Sequence, residues 1–161
     1  MAARSRGVEM FDKAIWDAMF VHAQREYPAE CCGIVTEDAS GVQTIHPCEN
    51  IQDKLHAADP ETHPRTSRTA YRMNDMHVMK IQSEAEQAGG RIVAIYHSHI
   101  DVDAYFSQED QDAATFPFGE PTYPGVVYPI IPVKNARVDI GEEKVFQWRD
   151  ASSKFEEVEI K

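Results

Sequence analysis

Apolar residues near the start of the chain recur with the period of an α-helix. Across residues 10–26 they stand at Phe11, Ile15 and Met19, with charged residues between them. This spacing predicts an amphipathic helix. Pro28 ends the pattern, because a proline cannot continue the helix.

Two short apolar runs follow, over residues 31–36 and 42–47. Their length is typical of β-strands, and the Ser40-Gly41 pair between them is typical of a turn. The two runs are therefore predicted to pair with each other as neighbouring strands.

The pattern breaks at residues 49–69, where polar residues predominate, two prolines occur and no periodicity is visible. This segment is predicted to be a long loop, of the kind that is often functional in a small domain. A short strand is predicted over residues 70–73, and Asn74 then caps a predicted helix over residues 75–88 that stops at Gly89-Gly90. The residues of this helix predicted to face inward are Met76, Met79 and Ala85.

The second half of the chain is richer in strands. Residues 91–96 are almost continuously apolar, as expected for a central strand covered on both faces. A helix is predicted from Ser107 to Thr115, followed by an irregular segment rich in proline and glycine. Further strands are predicted over residues 126–133, 137–140, 144–148 and 156–160. This order of elements predicts a mixed α/β fold with a largely antiparallel sheet.

Composition and charge narrow the possibilities. The 161 residues, 42% of them hydrophobic, suffice for one continuous core, so a single domain over residues 1–161 is predicted. The net charge of −11 disfavours a nucleic-acid-binding protein, because displacing counterions from phosphates needs a basic surface. Nothing in the sequence points to a particular oligomeric state.

Neither membrane insertion nor secretion is expected. The longest apolar runs are strand-sized, far below the ~20 residues that a spanning helix needs. Residues 1–10 contain no apolar stretch typical of a secretory signal. Cys31, Cys32 and Cys48 lack the spacing of a disulfide framework or a cysteine metal site, so they are expected to pack in the core. A cytoplasmic location is the resulting expectation.

Candidate chemistry begins where the strand over residues 91–96 runs into His97-Ser98-His99. Alternate residues of an extended chain point the same way, so both imidazoles are expected on one side. Ser107 can cap the next helix, and Asp110 then lies in its first turn. Two imidazoles and one carboxylate leave one position of a tetrahedral zinc ion open for water, as in catalytic zinc sites.

Each piece of this pattern has a plainer explanation by itself. A His-x-His pair at a strand end can be two polar residues at the margin of a sheet. Ser-x-x-Asp alone is usually a helix capping box. The combination at this spacing, after a strand of buried type, favours the metal site.

A zinc hydrolase also needs a group that moves protons between water and the leaving group. Glu30 is the best candidate, because it precedes the predicted strand over residues 31–36, where apolar surroundings would bury its carboxylate. The alternative is an ordinary surface glutamate, and spacing alone leaves both possibilities open.

These motifs resemble those of a known family. The run His97-x-His99, seven residues, Ser107-x-x-Asp110 resembles the JAMM signature of the MPN+ metalloproteases, also called JAB-domain proteases. The segment Glu30-x-Cys32-Gly33 is similar to the one that supplies their catalytic glutamate.

The resemblance extends beyond the motifs to small bacterial single-domain members. It includes residues 104–107, 119–125 and 146–150, and covers about residues 10–150. The chain departs from many members at Phe106 and Ile100, where those members have proline. This departure leaves the subfamily and its substrate open.

The resemblance implies both a fold and a set of roles. The fold would be a curved, mostly antiparallel sheet flanked by helices, similar to that of cytidine deaminases. His97, His99 and Asp110 would bind Zn²⁺, Glu30 would act as the general base, and Ser107 would donate a hydrogen bond to the oxyanion.

The implied activity is hydrolysis of the peptide or isopeptide bond after the C-terminal glycines of a ubiquitin-like or sulfur-carrier protein. Residues 49–69 and 112–125 are expected to line a groove for the extended tail of that substrate. Two alternatives stay open: a non-catalytic MPN scaffold, which would not need the full ligand set, and a zinc hydrolase acting on a small peptide.

Overall fold

The computed structural model describes residues 10–160, so most of the opening segment examined for a secretory signal lies outside the described residues. This part of the chain forms four helices and seven strands. In order they are α1 (Lys13–Glu26), β1 (Cys32–Glu37), β2 (Gln43–Cys48), α2 (Gln52–Ala58), α3 (Asp75–Gln87), β3 (Arg91–Ile100), α4 (Gln108–Ala113), β4 (Val127–Lys134), β5 (Arg137–Val138), β6 (Lys144–Arg149) and β7 (Lys154–Val158). No helix among the described residues is long and apolar enough to cross a membrane.

The strands form one open sheet in the order β2-β1-β3-β4-β6-β7, with β5 paired to β4. Every pairing is antiparallel except that of β3 with β4. The parallel pair requires a crossover connection, and α4 lies within it. The prediction of an α/β fold with a mostly antiparallel sheet is therefore confirmed.

The sheet is covered on both faces, and β3 lies in its middle. On one face, Met19 and other apolar residues of α1 pack against Ala94 and Tyr96 of β3. On the other face, Val78 and Ile81 of α3 form a second core. A strand buried on both faces cannot alternate apolar and polar residues, which explains the continuous apolar run that predicted it.

The segment between β2 and α3 is more ordered than predicted. Residues 49–69 contain α2, whose seven residues are too few and too polar to show helical periodicity. Residues 70–73 form no strand, because side-chain bonds replace strand pairing there. The Asn50 side chain accepts from the N–H of Arg72 and donates to the carbonyl of Ala70.

Four further predictions change in detail. β3 continues through both histidines to Ile100, because its parallel pairing with β4 extends that far. Met76 and Met79 of α3 are 73% and 62% exposed, so their predicted inward positions are wrong, and Val78 and Ile81 are buried instead. β5 is shorter than predicted, and β7 begins and ends two residues earlier.

Candidate metal centre

β3 places the two histidines in the interior of the sheet rather than at its margin. His97 is fully buried and His99 is 4% exposed, and as alternate residues they share one face of the strand. Ser98, between them, points the opposite way. Its hydroxyl accepts from the N–H of Cys31 at 2.7 Å, while its own N–H donates to the Cys31 carbonyl at 3.1 Å. These two bonds fix the end of β3 against the residues that lead into β1.

The start of α4 supplies the carboxylate. Ser107 and Asp110 form a capping box, in which the Asp110 N–H donates to Ser107 Oγ (3.1 Å) and the Ser107 N–H donates to Asp110 Oδ2 (3.0 Å). The Asp110 oxygens lie 3.2 Å from Nε2 of His97 and 3.2 Å from Nε2 of His99. The three predicted ligands therefore converge at one buried point.

The donor set is suited to a metal ion. One ligand atom from each of His97, His99 and Asp110 can be chosen so that all lie within 4.8 Å of one another. The Nδ1 of His99 lies 3.0 Å from the carbonyl of Asp103, so it must carry the proton and donate. That hydrogen bond leaves the Nε2 lone pair of His99 free for a metal, the arrangement usual for histidine ligands.

His97 provides independent support for a metal. Among the described residues, neither of its ring nitrogens makes a hydrogen bond of acceptable geometry, despite complete burial. A buried imidazole whose nitrogens make no hydrogen bond costs free energy unless another species binds it. The residues present therefore fit a metal ion, and with three protein ligands they leave a fourth position open, as tetrahedral catalytic zinc sites do.

Asp110 has the ionisation state that a ligand needs. Burial on its own would raise the pKa of this carboxyl group. The positive charge that His97 and His99 carry when protonated outweighs burial and holds that pKa well below its usual range. Asp110 is consequently an anion at neutral pH.

Two tyrosines form the walls around the imidazoles. The ring of Tyr71 stacks on His97 with centroids 4.5 Å apart, and Tyr105 meets His99 edge-on at 4.9 Å. Tyr105 is 51% exposed, so it lies at the entrance to the site. The two imidazoles are thus held from the side by aromatic packing.

Glu30 lies at the same site, two residues before β1. Extending the β1–β3 register, in which Cys32 faces His97, places Glu30 opposite His99. Glu30 is 5% exposed, and its Oε1 has no hydrogen-bond partner among residues 10–160. Burial raises the pKa of Glu30 to about 9; the charge of Asp110 acts in the same direction and that of Arg65 opposes it. Glu30 is therefore not an ordinary surface glutamate, the alternative that the sequence left open.

The backbone of Glu30 is clamped by residues that the motifs did not indicate. Its N–H donates to the carbonyl of Ser67 at 2.7 Å, and its carbonyl accepts from the side chain of Asn50 at 2.9 Å. Strand alternation in the His-x-His motif could have identified Ser98 as a residue of the opposite face. Asn50 and Ser67 gave no such signal, because they reach Glu30 from a segment without periodicity.

The comparisons with known proteins agree with this geometry. The family model of prokaryotic homologs of the JAB domain matches residues 12–149. The chain is 32% identical over 101 residues to a CysO-cysteine peptidase of Mycobacterium bovis, covering 63% of this chain and 62% of that protein. It is also 32% identical over 107 residues to a desampylase of Haloferax volcanii, covering 63% of this chain and 68% of the relative.

A third relative belongs to a virus. Tail tip assembly protein K of Escherichia phage N15 is 32% identical over 111 residues, covering 67% of this chain but only 38% of the phage protein. The chain thus spans about two fifths of the phage protein and about three fifths of the CysO-cysteine peptidase.

Solved structures share the fold. A protein of Desulfitobacterium hafniense superposes with a TM-score of 0.64 at 21% identity, and one of Salinibacter ruber with a TM-score of 0.57 at 23% identity. Each alignment covers 92% of this chain and 88% of the other. Because the family model spans the whole site, from before Glu30 to beyond Asp110, the chain belongs to the prokaryotic homologs of the JAB domain.

Proposed function

We propose that the protein is a zinc metallopeptidase. It would hydrolyse the peptide or isopeptide bond after the C-terminal glycines of a ubiquitin-like or sulfur-carrier protein. The observation that carries the proposal is the buried meeting point of His97, His99 and Asp110 beside a buried Glu30 whose Oε1 has no hydrogen-bond partner among the described residues. Two relatives, one named a peptidase and one a desampylase, support hydrolytic chemistry.

In this proposal, His97, His99 and Asp110 hold the zinc ion. When bound, the ion supplies a Lewis acid that activates water and polarises the scissile carbonyl. Glu30 takes a proton from the attacking water and returns it to the leaving amine. Burial keeps the Glu30 carboxyl in the protonated form without a metal, whereas a divalent cation nearby favours the carboxylate that a base requires.

Ser107 is proposed to stabilise the oxyanion. Its oxygen accepts the N–H of Asp110, and its hydroxyl proton has no acceptor among the described residues. That proton is therefore available to a substrate oxygen beside the metal ligands. A single donor of this kind contributes about 3 kcal/mol to transition-state stabilisation in other hydrolases.

The tail of the substrate would enter as an extended chain. A Gly-Gly terminus has no bulky side chains, so a narrow groove that adds it as an extra strand selects for it. We propose that residues 49–69 and 112–125 line that groove. The contact between Ser67 and Glu30 supports this for the first segment, because it brings that segment to the site.

The experiment is a hydrolysis assay with zinc-loaded full-length protein. The substrate is a ubiquitin-like protein whose Gly-Gly terminus is extended by a short peptide. We expect cleavage after Gly-Gly, a loss of about 10²- to 10⁴-fold in kcat for Glu30→Gln, and unchanged zinc content.

Glu26→Gln, which removes a half-exposed carboxylate four residues away, serves as the matched control and should retain full activity. Full activity of Glu30→Gln would contradict the assignment of the base. Cleavage of short peptides but not of the protein fusion would instead support the small-peptide hydrolase.

A further inference from the structure

An isolated positive segment borders the site of this strongly acidic protein. Residues 62–74, here called the arginine segment, contain Arg65, Arg68 and Arg72 and no acidic residue, whereas the whole chain has a net charge of −11. The segment is fixed at the site through Ser67, whose carbonyl accepts the N–H of Glu30. A group of cations at this position would attract an anionic part of a substrate.

Arg65 is the member of the segment whose ion pair lies next to a predicted metal ligand. Its Nη2 lies 2.6 Å from Oε1 of Glu109, the residue before the metal ligand Asp110. Its positive charge also opposes the rise in the pKa of Glu30. By contrast, Arg68 pairs with Asp101 beyond the end of β3, and Arg72 pairs with Asp75 at the start of α3.

The ion pair with Glu109 leaves Arg65 able to bind a second anion. The Arg65 side chain is 44% exposed, and the bond to Glu109 uses one of its five N–H donors. A guanidinium presents paired donors that match the two oxygens of a carboxylate. Arg65 is therefore a site for a carboxylate that reaches it from solvent.

The position of this cation indicates which part of a substrate meets it, an argument that rests on the proposed function. If Glu30 returns a proton to the leaving amine, the atoms bonded to that nitrogen lie beside Glu30. In a released amino acid the α-carboxylate is one carbon away, within about 4 Å of the nitrogen. In an isopeptide the nitrogen belongs to a lysine side chain, and no carboxylate is close to it.

A small cavity at Glu109, the ion-pair partner of Arg65, fits the rest of such a leaving group. It measures ≈160 Å³, and its lining includes Leu55, Tyr71, Glu109 and Asp110. An apolar cavity of about 150 Å³ accepts a benzene-sized group in another protein. This volume accommodates one amino-acid side chain and is too small for a folded protein.

We propose that Arg65 binds the free α-carboxylate of a single C-terminal residue, so that the protein releases one amino acid from the end of its substrate. The preferred substrate class is then a chain ending in Gly-Gly-X with a free carboxylate, rather than a lysine-linked conjugate.

Binding of two peptides tests the proposal. The probes are fluorescently labelled peptides ending in Gly-Gly-Ala, one with a free C-terminal carboxylate and one with a C-terminal amide. They are titrated into the zinc-loaded Glu30→Gln protein, which preserves both probes. We expect the acid to bind about tenfold or more tightly than the amide, because charge-assisted hydrogen bonds to the carboxylate are lost in the amide.

Variants of the Arg65–Glu109 ion pair distinguish recognition of the substrate carboxylate from a purely structural role of Arg65. Arg65→Gln should abolish the preference for the acid, while the matched control Arg68→Gln should keep it. Glu109→Gln removes the competing carboxylate of the protein, so it should leave the preference unchanged or strengthen it. If the ion pair served only to hold the arginine segment against α4, Glu109→Gln would weaken binding as Arg65→Gln does.

Equal binding of acid and amide, or no measurable binding of either, would overturn the assignment of Arg65. Turnover is measured separately with the wild-type protein, on the acid peptide and on the Gly-Gly fusion. Absence of turnover on both, with an Arg65-dependent preference in binding, would contradict the proposed function and leave the carboxylate site standing. Turnover with equal binding of acid and amide would contradict the carboxylate site and leave the proposed function standing.

Discussion

Glu30 places its carboxyl group in surroundings that disfavour a charge. This position bears both on the stability of the protein and on the chemistry proposed for the site. Its side chain is 5% exposed, while its backbone is held from both sides by Ser67 and Asn50. A carboxyl group buried in this way loses most of its hydration. The proposed function uses this group to exchange a proton at the position where the predicted ligands converge.

Because Glu30 is buried, we predict that the stability of the metal-free protein depends on pH. Burial raises the folded-state pKa from its ordinary value of 4.5 to about 9, so between these values the native state binds more protons than the unfolded state. The free energy of unfolding should therefore fall as the pH rises through this window. Glu30→Gln, which cannot ionise, should become more stable than wild type by on the order of 1–3 kcal/mol at pH 8.

Chemical denaturation in the presence of a chelator, at pH 5 and at pH 8, measures this difference. The gap between Glu30→Gln and wild type should widen towards the higher pH. A gap that is the same at both pH values would show that Glu30 is not buried in its neutral form.

Gly33 shows why one backbone position of β1 must lack a side chain. A Cβ atom at Gly33 would lie 2.3 Å from the ring of Tyr96, its partner across the β1–β3 pair. Tyr96 cannot move aside easily, because it is fully buried and its hydroxyl lies 2.8 Å from Nδ1 of His22. The tyrosine ring thus occupies the space above the glycine.

Gly33→Ala should therefore destabilise the fold by about 1–3 kcal/mol, the usual cost of overpacking a core. Urea denaturation measures the loss. In a Tyr96→Leu background the same substitution should cost much less, because the clashing ring is gone. Equal costs in the two backgrounds would mean that the clash is relieved elsewhere.

At the scale of elements, the site is assembled from three pieces that differ in how visible they are in the sequence. β3 is visible as a continuous apolar run, α1 shows helical periodicity, and the capping box of Ser107 and Asp110 marks the start of α4. These local signals were enough to predict the sheet and the convergence of His97, His99 and Asp110. Short elements with little apolar content leave no such pattern, which is why α2 was predicted to be loop.

The connection from β2 to α3 could not be predicted because long-range hydrogen bonds determine its shape. Asn50 bonds Glu30, Ala70 and Arg72, and Asp53 accepts two bonds from Ser67. None of these partners is at a fixed sequence spacing. The inward position predicted for Met76 was wrong for a different reason. α3 has apolar residues on more than one face, and the face that packs on the sheet is the one with Val78 and Ile81.

Asn50→Ala should lower turnover at constant zinc content, because it releases the backbone of Glu30 on one side. We expect a loss of about tenfold in kcat and about 1–3 kcal/mol of stability, the cost of leaving buried carbonyl groups without a donor. Asn74→Ala is the matched control, because Asn74 caps α3 through two backbone N–H groups away from the site. It should cost about 1 kcal/mol of stability and leave kcat unchanged. Equal effects of the two variants on kcat would argue that Asn50 contributes only to stability.

At the scale of the whole molecule, the two faces of the sheet differ in what they carry. α1 and its core cover one face, whereas the ligands, Glu30 and the arginine segment lie towards the other. The chain has 27 acidic and 16 basic residues, and residues 62–74 contain three arginines and no acidic residue. The proposed carboxylate site uses Arg65 of this segment.

The central claim is that His97, His99 and Asp110 bind one zinc ion, and metal analysis of purified protein tests it most directly. Wild-type protein is compared with His97→Ala/Asp110→Ala. The matched control is His46→Ala/Asp75→Ala, which also removes one strand histidine and one aspartate from the first turn of a helix. We predict one zinc per chain in wild type and control and none in the site variant. Zinc retained by the site variant, or absent from all three proteins after zinc is supplied, would contradict the account.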